Sequence, residues 1–249
     1  GRPNVGKSTL LNRILGQKIS ITSRRPQTTR HRVLGIKTRP GAQLIYVDTP
    51  GIHDYSGRAM NRHMNRTASS VLADVDVVVF LVDGLRWQPD DELVLQKLGQ
   101  VRCPVILAVN KIDLLASRET LLPGLQALAE KYSFEQIIPI SASKGDNVAA
   151  LEAAIEELLP AAPPLFPEDQ VTDRSERFMA AELLREQLTR RYAKELPYAV
   201  TVEIERFEDE GDRYRIAAVI WGEKAGQKGI LLGKQGSAMK EKARIARED

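Results

Sequence analysis

The 249-residue sequence holds one cysteine, Cys103, and three histidines. A lone thiol forms no internal disulfide, and Cys103 has no companion at metal-ligand spacing, so disulfide frameworks and zinc clusters are excluded and a reducing cytoplasm is the expected setting. No run approaches the roughly 18 apolar residues of a spanning helix. The most apolar stretch, Val75 to Val82, is broken by Asp76 and bounded by Asp83, which leaves a soluble, monomeric globular protein as the expectation. Aromatics are scarce at 5%, and Trp87 and Trp221 read as packing residues rather than ligand platforms. Acidic residues are missing altogether from the first 47 positions, which carry ten Lys or Arg. That end of the chain should face an anion. A second basic stretch, Lys224 to Arg247, sets seven Lys or Arg against Glu241 alone, a footprint expected of nucleic-acid contact.

What is present alternates. From Val33 to Leu159, short β-rich runs alternate with longer amphipathic ones, the pattern of βαβ units that form a mostly parallel sheet with helices on both faces. Strands are expected near 33–38, 43–48, 76–82, 104–109 and 136–140, and helices near 7–16, 58–72, 90–99, 117–132 and 147–159. Pro160, Pro163, Pro164 and Pro167 then crowd into eight residues with no apolar period. The chain therefore divides into an α/β domain over 1–160, a stiff linker over 161–172 and a smaller α+β module over 173–249. In that module a long helix over 175–194 precedes strands near 199–206 and 213–221 and two helical stretches split by Gly233-Lys234-Gln235-Gly236.

Residues 1–8, Gly-Arg-Pro-Asn-Val-Gly-Lys-Ser, match the phosphate loop, glycine, four residues, glycine, lysine, hydroxyl. Gly1, Arg2, Pro3, Asn4, Val5 and Gly6 would wrap backbone N–H groups around the β-phosphate, ahead of a helix whose positive end points the same way and begins with Lys7, Ser8 and Thr9. Lys7 would bridge the β- and γ-phosphates, and Ser8 would offer its hydroxyl to Mg²⁺. A strand then runs into Asp48-Thr49-Pro50-Gly51. Asp48 can hold a water of the Mg²⁺ shell, and the Gly51 N–H can sense the γ-phosphate. Another strand ends in Asn110-Lys111-Ile112-Asp113, where the Asp113 carboxylate suits the N1–H and 2-amino donors of guanine. Adenine lacks both donors, and leaving a buried carboxylate unpaired costs roughly 1–3 kcal/mol or more, so the nucleotide is GTP or GDP. Ser141-Ala142-Ser143 would close on the base, with the Ala142 N–H on guanine O6. Within the polar loop Pro26-Gln27-Thr28-Thr29-Arg30, Thr29 is chosen over Thr28 to complete the metal shell. Lys7, Thr29 and Gly51 are the catalytic candidates.

Many GTPases place a water-orienting glutamine directly after the sensor glycine. Here that position is Ile52, which cannot hydrogen-bond a water, so slow intrinsic hydrolysis is expected. His53 is a weak substitute, while His31 and His63 read as surface residues. Asn4, beside the phosphates, could help seat a monovalent cation, which predicts stimulation by K⁺.

The series GRPNVGKST, PQTTR, DTPGIH, NKID and SASKGDN, followed by GKQG, resembles the bacterial Era GTPase family over nearly the whole chain. The resemblance implies a P-loop GTPase followed by a type II KH domain that binds the 3′ region of small-subunit (16S) ribosomal RNA during 30S assembly, with loose inner-membrane association. Gly233 and Gly236 would let the backbone approach a phosphodiester chain, with Lys228, Lys234, Gln235 and Lys240 supplying contacts; Lys224, Lys242 and Arg244 strengthen the basic face. Two departures accompany it: the central strand feeding the phosphate loop is expected ahead of Gly1, and the third KH strand after Asp249. The alternatives are an RNA chaperone whose nucleotide only stabilises the fold, and a C-terminal module that binds protein or membrane.

Overall fold

A computed structural model gives the fold and describes residues 1–23, 25, 28–52, 70–72, 74–192 and 200–248. Two compact units are formed, one from residues 1–20 and 29–173, the other from 21–28 and 174–249.

In the first unit the phosphate loop enters α1 (Lys7–Leu15), which buries Leu10, Leu11 and Ile14 and stops at Gly16 in the left-handed conformation, φ 71°. β1 (Val33–Arg39) and β2 (Ala42–Asp48) pair antiparallel, from Val33 opposite Asp48 to Arg39 opposite Ala42. The parallel sheet comprises β3 (Val78–Asp83), β4 (Val105–Asn110) and β5 (Gln136–Pro139) in that spatial order. α2 (Pro89–Leu98) and α3 (Leu121–Ala129) make the crossovers, and α4 (Val148–Leu158) follows β5. Because side chains alternate along a strand, the fully buried β4 serves two cores. Ile106 and Ala108 pack with Leu10 and Ile14 of α1 and Leu151 and Ile155 of α4. Leu107 and Val109 pack with Val94 and Leu98 of α2 and Leu128 of α3. At about 1.5–3 kcal/mol per buried large aliphatic side chain, this two-sided burial is what fixes the carboxyl ends of β3, β4 and β5 at one edge.

The β1–β2 ladder differs from the expected parallel arrangement. Only Pro40 and Gly41 connect the strands, and two residues can close a hairpin but not a crossover. The expected helix over 58–72 falls outside the described residues except for 70–72. The proline-rich stretch runs along the hairpin: Ile36 N–H donates to Val171 O at 2.9 Å, and Gln43 Oε1 accepts from the Leu165 and Phe166 N–H groups at 2.8 and 2.9 Å.

The second unit has α5 (Glu176–Arg191), the antiparallel pair β6 (Val200–Asp209) and β7 (Tyr214–Gly222), α6 (Ala225–Leu232), a one-turn helix over Lys234–Gly236, and α7 (Ser237–Glu248). Ser175 caps α5 by accepting from Phe178 N–H. Leu188 of α5, Val200 of β6 and Leu231 of α6 form the core, joined by Tyr192, Val202, Ile220 and Met239.

Candidate functional site

The sequence motifs converge at the carboxyl edge of the parallel sheet. Gly6 takes φ 103°, a conformation that favours glycine, and starts α1 with no side chain among the described residues capping its first N–H groups. Those donors are therefore open to an anion. A Cβ on Gly6 would meet Asn110 Nδ2 at 2.3 Å, and one on Gly51 would meet the Pro3 backbone N at 2.7 Å. Close backbone approach, rather than flexibility, is why both positions need glycine.

Lys7 Nζ donates to the Gly1 and Arg2 carbonyls at 3.2 and 2.8 Å, so the loop folds around its ammonium. Burial pushes the Lys7 ammonium down to about 8, with the Asp48 carboxylate opposing the shift. Ser8 Oγ donates to Asp48 Oδ2 at 2.7 Å and lies 3.0 Å from Thr29 Oγ1. Ser20 Oγ donates to the same Asp48 oxygen at 2.7 Å. The other oxygen, Asp48 Oδ1, is buried with no hydrogen-bond partner among the described residues. Two hydroxyls and a carboxylate with an uncommitted oxygen are a hard, all-oxygen donor set that fits Mg²⁺, which usually binds through one or two carboxylates with phosphate and water completing the shell. Thr28, the alternative to Thr29, turns away: its hydroxyl donates to Arg25 O at 2.8 Å.

Asn110 ties two loops together. Its Nδ2 donates to Val5 O at 2.7 Å, and its Oδ1 accepts from Ala142 N–H at 2.9 Å. The Ala142 N–H, expected on guanine O6, is thus engaged by Asn110, because the loop over 141–143 is clamped to the phosphate loop through that side chain. Asp113 is exposed on the turn after Asn110 and Lys111, and Ser141 Oγ donates to its Oδ1 at 2.6 Å, fixing the carboxylate plane. Lys111 takes φ 66° and donates to Asn4 O at 2.8 Å. Thr9 lies in the first turn of α1, Thr49 and Pro50 carry the chain from Asp48 to Gly51, and Ile112 opens a one-turn helix over Ile112–Leu114. Ile52 is 6% exposed and packs in the apolar core with Phe80 and Val82, so its side chain has no part in orienting a water. His53 and His63 lie outside the described residues.

Four residues that the motifs did not single out complete the arrangement. Asp83, at the end of β3, accepts from Lys111 Nζ at 2.6 Å. Asp91 at the start of α2 accepts from Arg2 Nε at 3.0 Å and from Gln88 N–H at 3.0 Å. Burial pushes the Asp91 carboxyl up, opposed by these two donors. Arg13 of α1 donates to the Ala142 and Ser143 carbonyls. Ser20, already placed on Asp48, is positioned by Asn12, whose Oδ1 accepts from the Ser20 N–H at 3.0 Å.

In the second unit Gly233 and Gly236 take φ 68° and 77°, and Gln235 takes φ 52°, so the chain turns sharply between α6 and α7. A Cβ on Gly233 would meet the Ala238 Cβ at 2.7 Å, whereas the space around Gly236 is open. Lys228, Gln235 and Lys240 are exposed, and Lys234 lies in the turn itself. Lys242 differs from expectation: it is buried and lies beside Glu241, because it falls on the face of α7 turned inward.

Residues 1–111 match the family model of the 50S ribosome-binding GTPase, and residues 195–249 match that of the KH domain. The chain is 58% identical to the GTPase Era of Marinobacter nauticus over 249 residues, all of this chain and 82% of that one. It is 53% identical to the GTPase Era of Pseudomonas aeruginosa, again over all of this chain and 82% of the relative. Among solved structures, Era in complex with MgGDPNP and nucleotides 1506–1542 of 16S ribosomal RNA superposes with a TM-score of 0.94 at 38% identity, over all of this chain and 85% of that one. A variant of Aquifex aeolicus Era bound to GDP and aluminium fluoride gives the same TM-score at 37% identity and the same coverage. Sequences this similar along their whole aligned length share a fold and its chemistry, and the chain belongs to the Era family of GTPases, P-loop enzymes that hydrolyse GTP.

Proposed function

We propose that this chain is a GTP-dependent switch that binds the 3′ region of small-subunit ribosomal RNA through residues 173–249 and acts in assembly of the 30S subunit. The observation that carries the nucleotide half is the meeting of Ser8 Oγ, Thr29 Oγ1 and Asp48 within hydrogen-bond distance, beside an uncapped helix start. Ser8, Thr29 and Asp48 would hold Mg²⁺, which supplies charge neutralisation at the phosphates as the γ-phosphoryl leaves. Gly1 to Gly6 direct backbone donors at the β-phosphate, Lys7 bridges to the γ-phosphate, and the Gly51 N–H reads its presence. Asp113, oriented by Ser141, selects guanine. Thr29 is the described part that should reorganise when the γ-phosphate departs; the segment after Gly51, expected to do the same, lies outside the described residues beyond Ile52.

Ile52 supplies no polar group to the attacking water, so intrinsic turnover is slow. Asn4, exposed and at φ 63° within the phosphate loop, is our candidate for seating K⁺. Rates that are equal in KCl and NaCl at matched ionic strength would rule that role out. On the RNA side the Gly233-to-Gly236 turn, with Gln235 exposed, and Lys228 and Lys240 meet the backbone. We place the protein in the cytoplasm, with peripheral contact at the inner membrane; among the described residues no helix is long and apolar enough to cross a membrane. A monomer is the expected state.

The test is equilibrium binding of a short single-stranded RNA copying the 3′ end of small-subunit rRNA, with GDP and with a non-hydrolysable GTP analogue. Tighter binding with the analogue supports the switch, and equal binding favours a chaperone whose nucleotide only stabilises the fold. No binding in either state turns attention to Tyr214, Ile216 and Trp221, which β7 leaves exposed and which suit a protein or membrane surface.

A further inference from the structure

The segment 21–28 belongs to the second unit although it lies within the sequence of the first. α5 holds it at both described ends. Thr22 donates to Glu186 Oε1 through its N–H at 2.7 Å and its hydroxyl at 3.1 Å. Arg190 closes the same corner, with Nε on Thr22 O at 3.2 Å and Nη2 on Thr22 Oγ1 and Glu186 Oε1 at 3.1 and 2.8 Å. At the other end Arg185 Nη2 donates to Thr28 O at 2.7 Å. Arg185 is itself held in a two-pronged pair by Glu182, with both contacts at 2.6 Å. Arg185 is 4% and Glu186 0% exposed, within a run from Arg185 to Thr189 that is buried throughout, and charged side chains are seldom buried unless paired.

The residue after Thr28 is Thr29, whose hydroxyl lies 3.0 Å from Ser8 Oγ. The gripped carbonyl and the metal-facing hydroxyl are thus on consecutive residues. We infer that Arg185 and Glu186 are positioning residues for Thr29: by fixing residues 22 and 28 they remove backbone freedom that Thr29 would otherwise lose on reaching the metal. The inference rests on the reading of Thr29 as a ligand of the GTP-bound state. Its signature is selective, since GDP makes no demand on Thr29. The grip strengthens binding of GTP with Mg²⁺ and leaves GDP binding alone.

The experiment is Arg185→Met in the full chain, with Mg²⁺ and a non-hydrolysable GTP analogue or GDP titrated separately, and single-turnover hydrolysis alongside. Removing a charge-assisted hydrogen bond should weaken analogue binding roughly tenfold and slow hydrolysis to a similar extent, with GDP affinity unchanged. Arg190→Gln, at a side chain that is 44% exposed, carries the same test should Arg185→Met fail to fold, with a smaller loss expected. Arg185→Lys should recover part of the effect by pairing with Glu182. Equal weakening of GDP and analogue, or no change in either, overturns the inference. Thr29→Ala separates the two layers. If it weakens the analogue selectively and the α5 variants do not, the positioning role fails alone; if it has no effect, the metal reading fails and takes this inference with it.

Discussion

Lys7 and Asp83 carry the sharpest single-residue expectations. In the unfolded chain Lys7 titrates near the ordinary lysine value, whereas burial lowers it to about 8 in the folded protein. A bound polyphosphate restores the charged form, so binding takes up a proton wherever the free ammonium has lost one. GDP affinity should therefore fall as pH rises through about 8, and calorimetry near pH 8.5 in two buffers of different ionisation enthalpy should detect the proton uptake. Near pH 6.5 that uptake should vanish from this group. Asp83 anchors the Lys111 ammonium, and Lys111 in turn holds the phosphate loop at Asn4 O. Asp83→Asn keeps the shape but removes the charge, so dissociation of a fluorescent GDP should accelerate about tenfold with little change in melting temperature, a loss typical of a charged hydrogen bond. Neither Asp83 nor Arg13 was legible in the sequence, because their partners lie 28 and 129 positions away. Gly6, Lys7, Ser8, Asp48, Asn110 and Asp113 could be proposed from the sequence, because phosphate and base chemistry fixes their spacing along short stretches of chain, and the structure brings them to one edge of the sheet.

Elements were legible in position and less so in pairing. β-branched runs placed β3, β4 and β5 within two residues of where they lie, yet alternation says nothing about strand direction. The signal that could have found the β1–β2 hairpin is Pro40-Gly41, a connection of two residues. The proline-rich stretch reads as a spacer by composition, but its N–H and carbonyl groups find partners on Ile36 and Gln43. In the turn between α6 and α7, the two glycines differ in what substitution would do. A side chain on Gly233 collides with Ala238, whereas Gly236→Asp meets open space and costs roughly 1–2 kcal/mol for its positive φ. Gly236→Asp should lower the melting point slightly and weaken RNA binding by tenfold or more through charge repulsion, as a filter-binding titration would show. Lys228→Ala with Lys240→Ala should flatten the dependence of log affinity on log salt by about 1.4, since each phosphate contact contributes about 0.7 on a single strand.

For the whole molecule the prediction is one of linkage. If the GTP analogue raises affinity for the 3′ rRNA segment by some factor over GDP, the RNA must raise affinity for the analogue over GDP by the same factor. Measuring both arms of this cycle on the full chain is a closed check, and a mismatch would show that the two titrations report different states. The partition of residues 21–28 was the least legible feature of all, because nothing in a polar eight-residue loop announces that its partners are the buried Glu186 and Arg185. It also sets an order of events during synthesis. Thr28 leaves the ribosome 157 residues before Arg185, an interval of roughly 8–30 s at 5–20 residues per second. A nascent chain that has made its phosphate loop and the Asn110-to-Asp113 turn still lacks the helix we infer to brace Thr29, so it should be able to keep GDP well before it acquires its full grip on GTP.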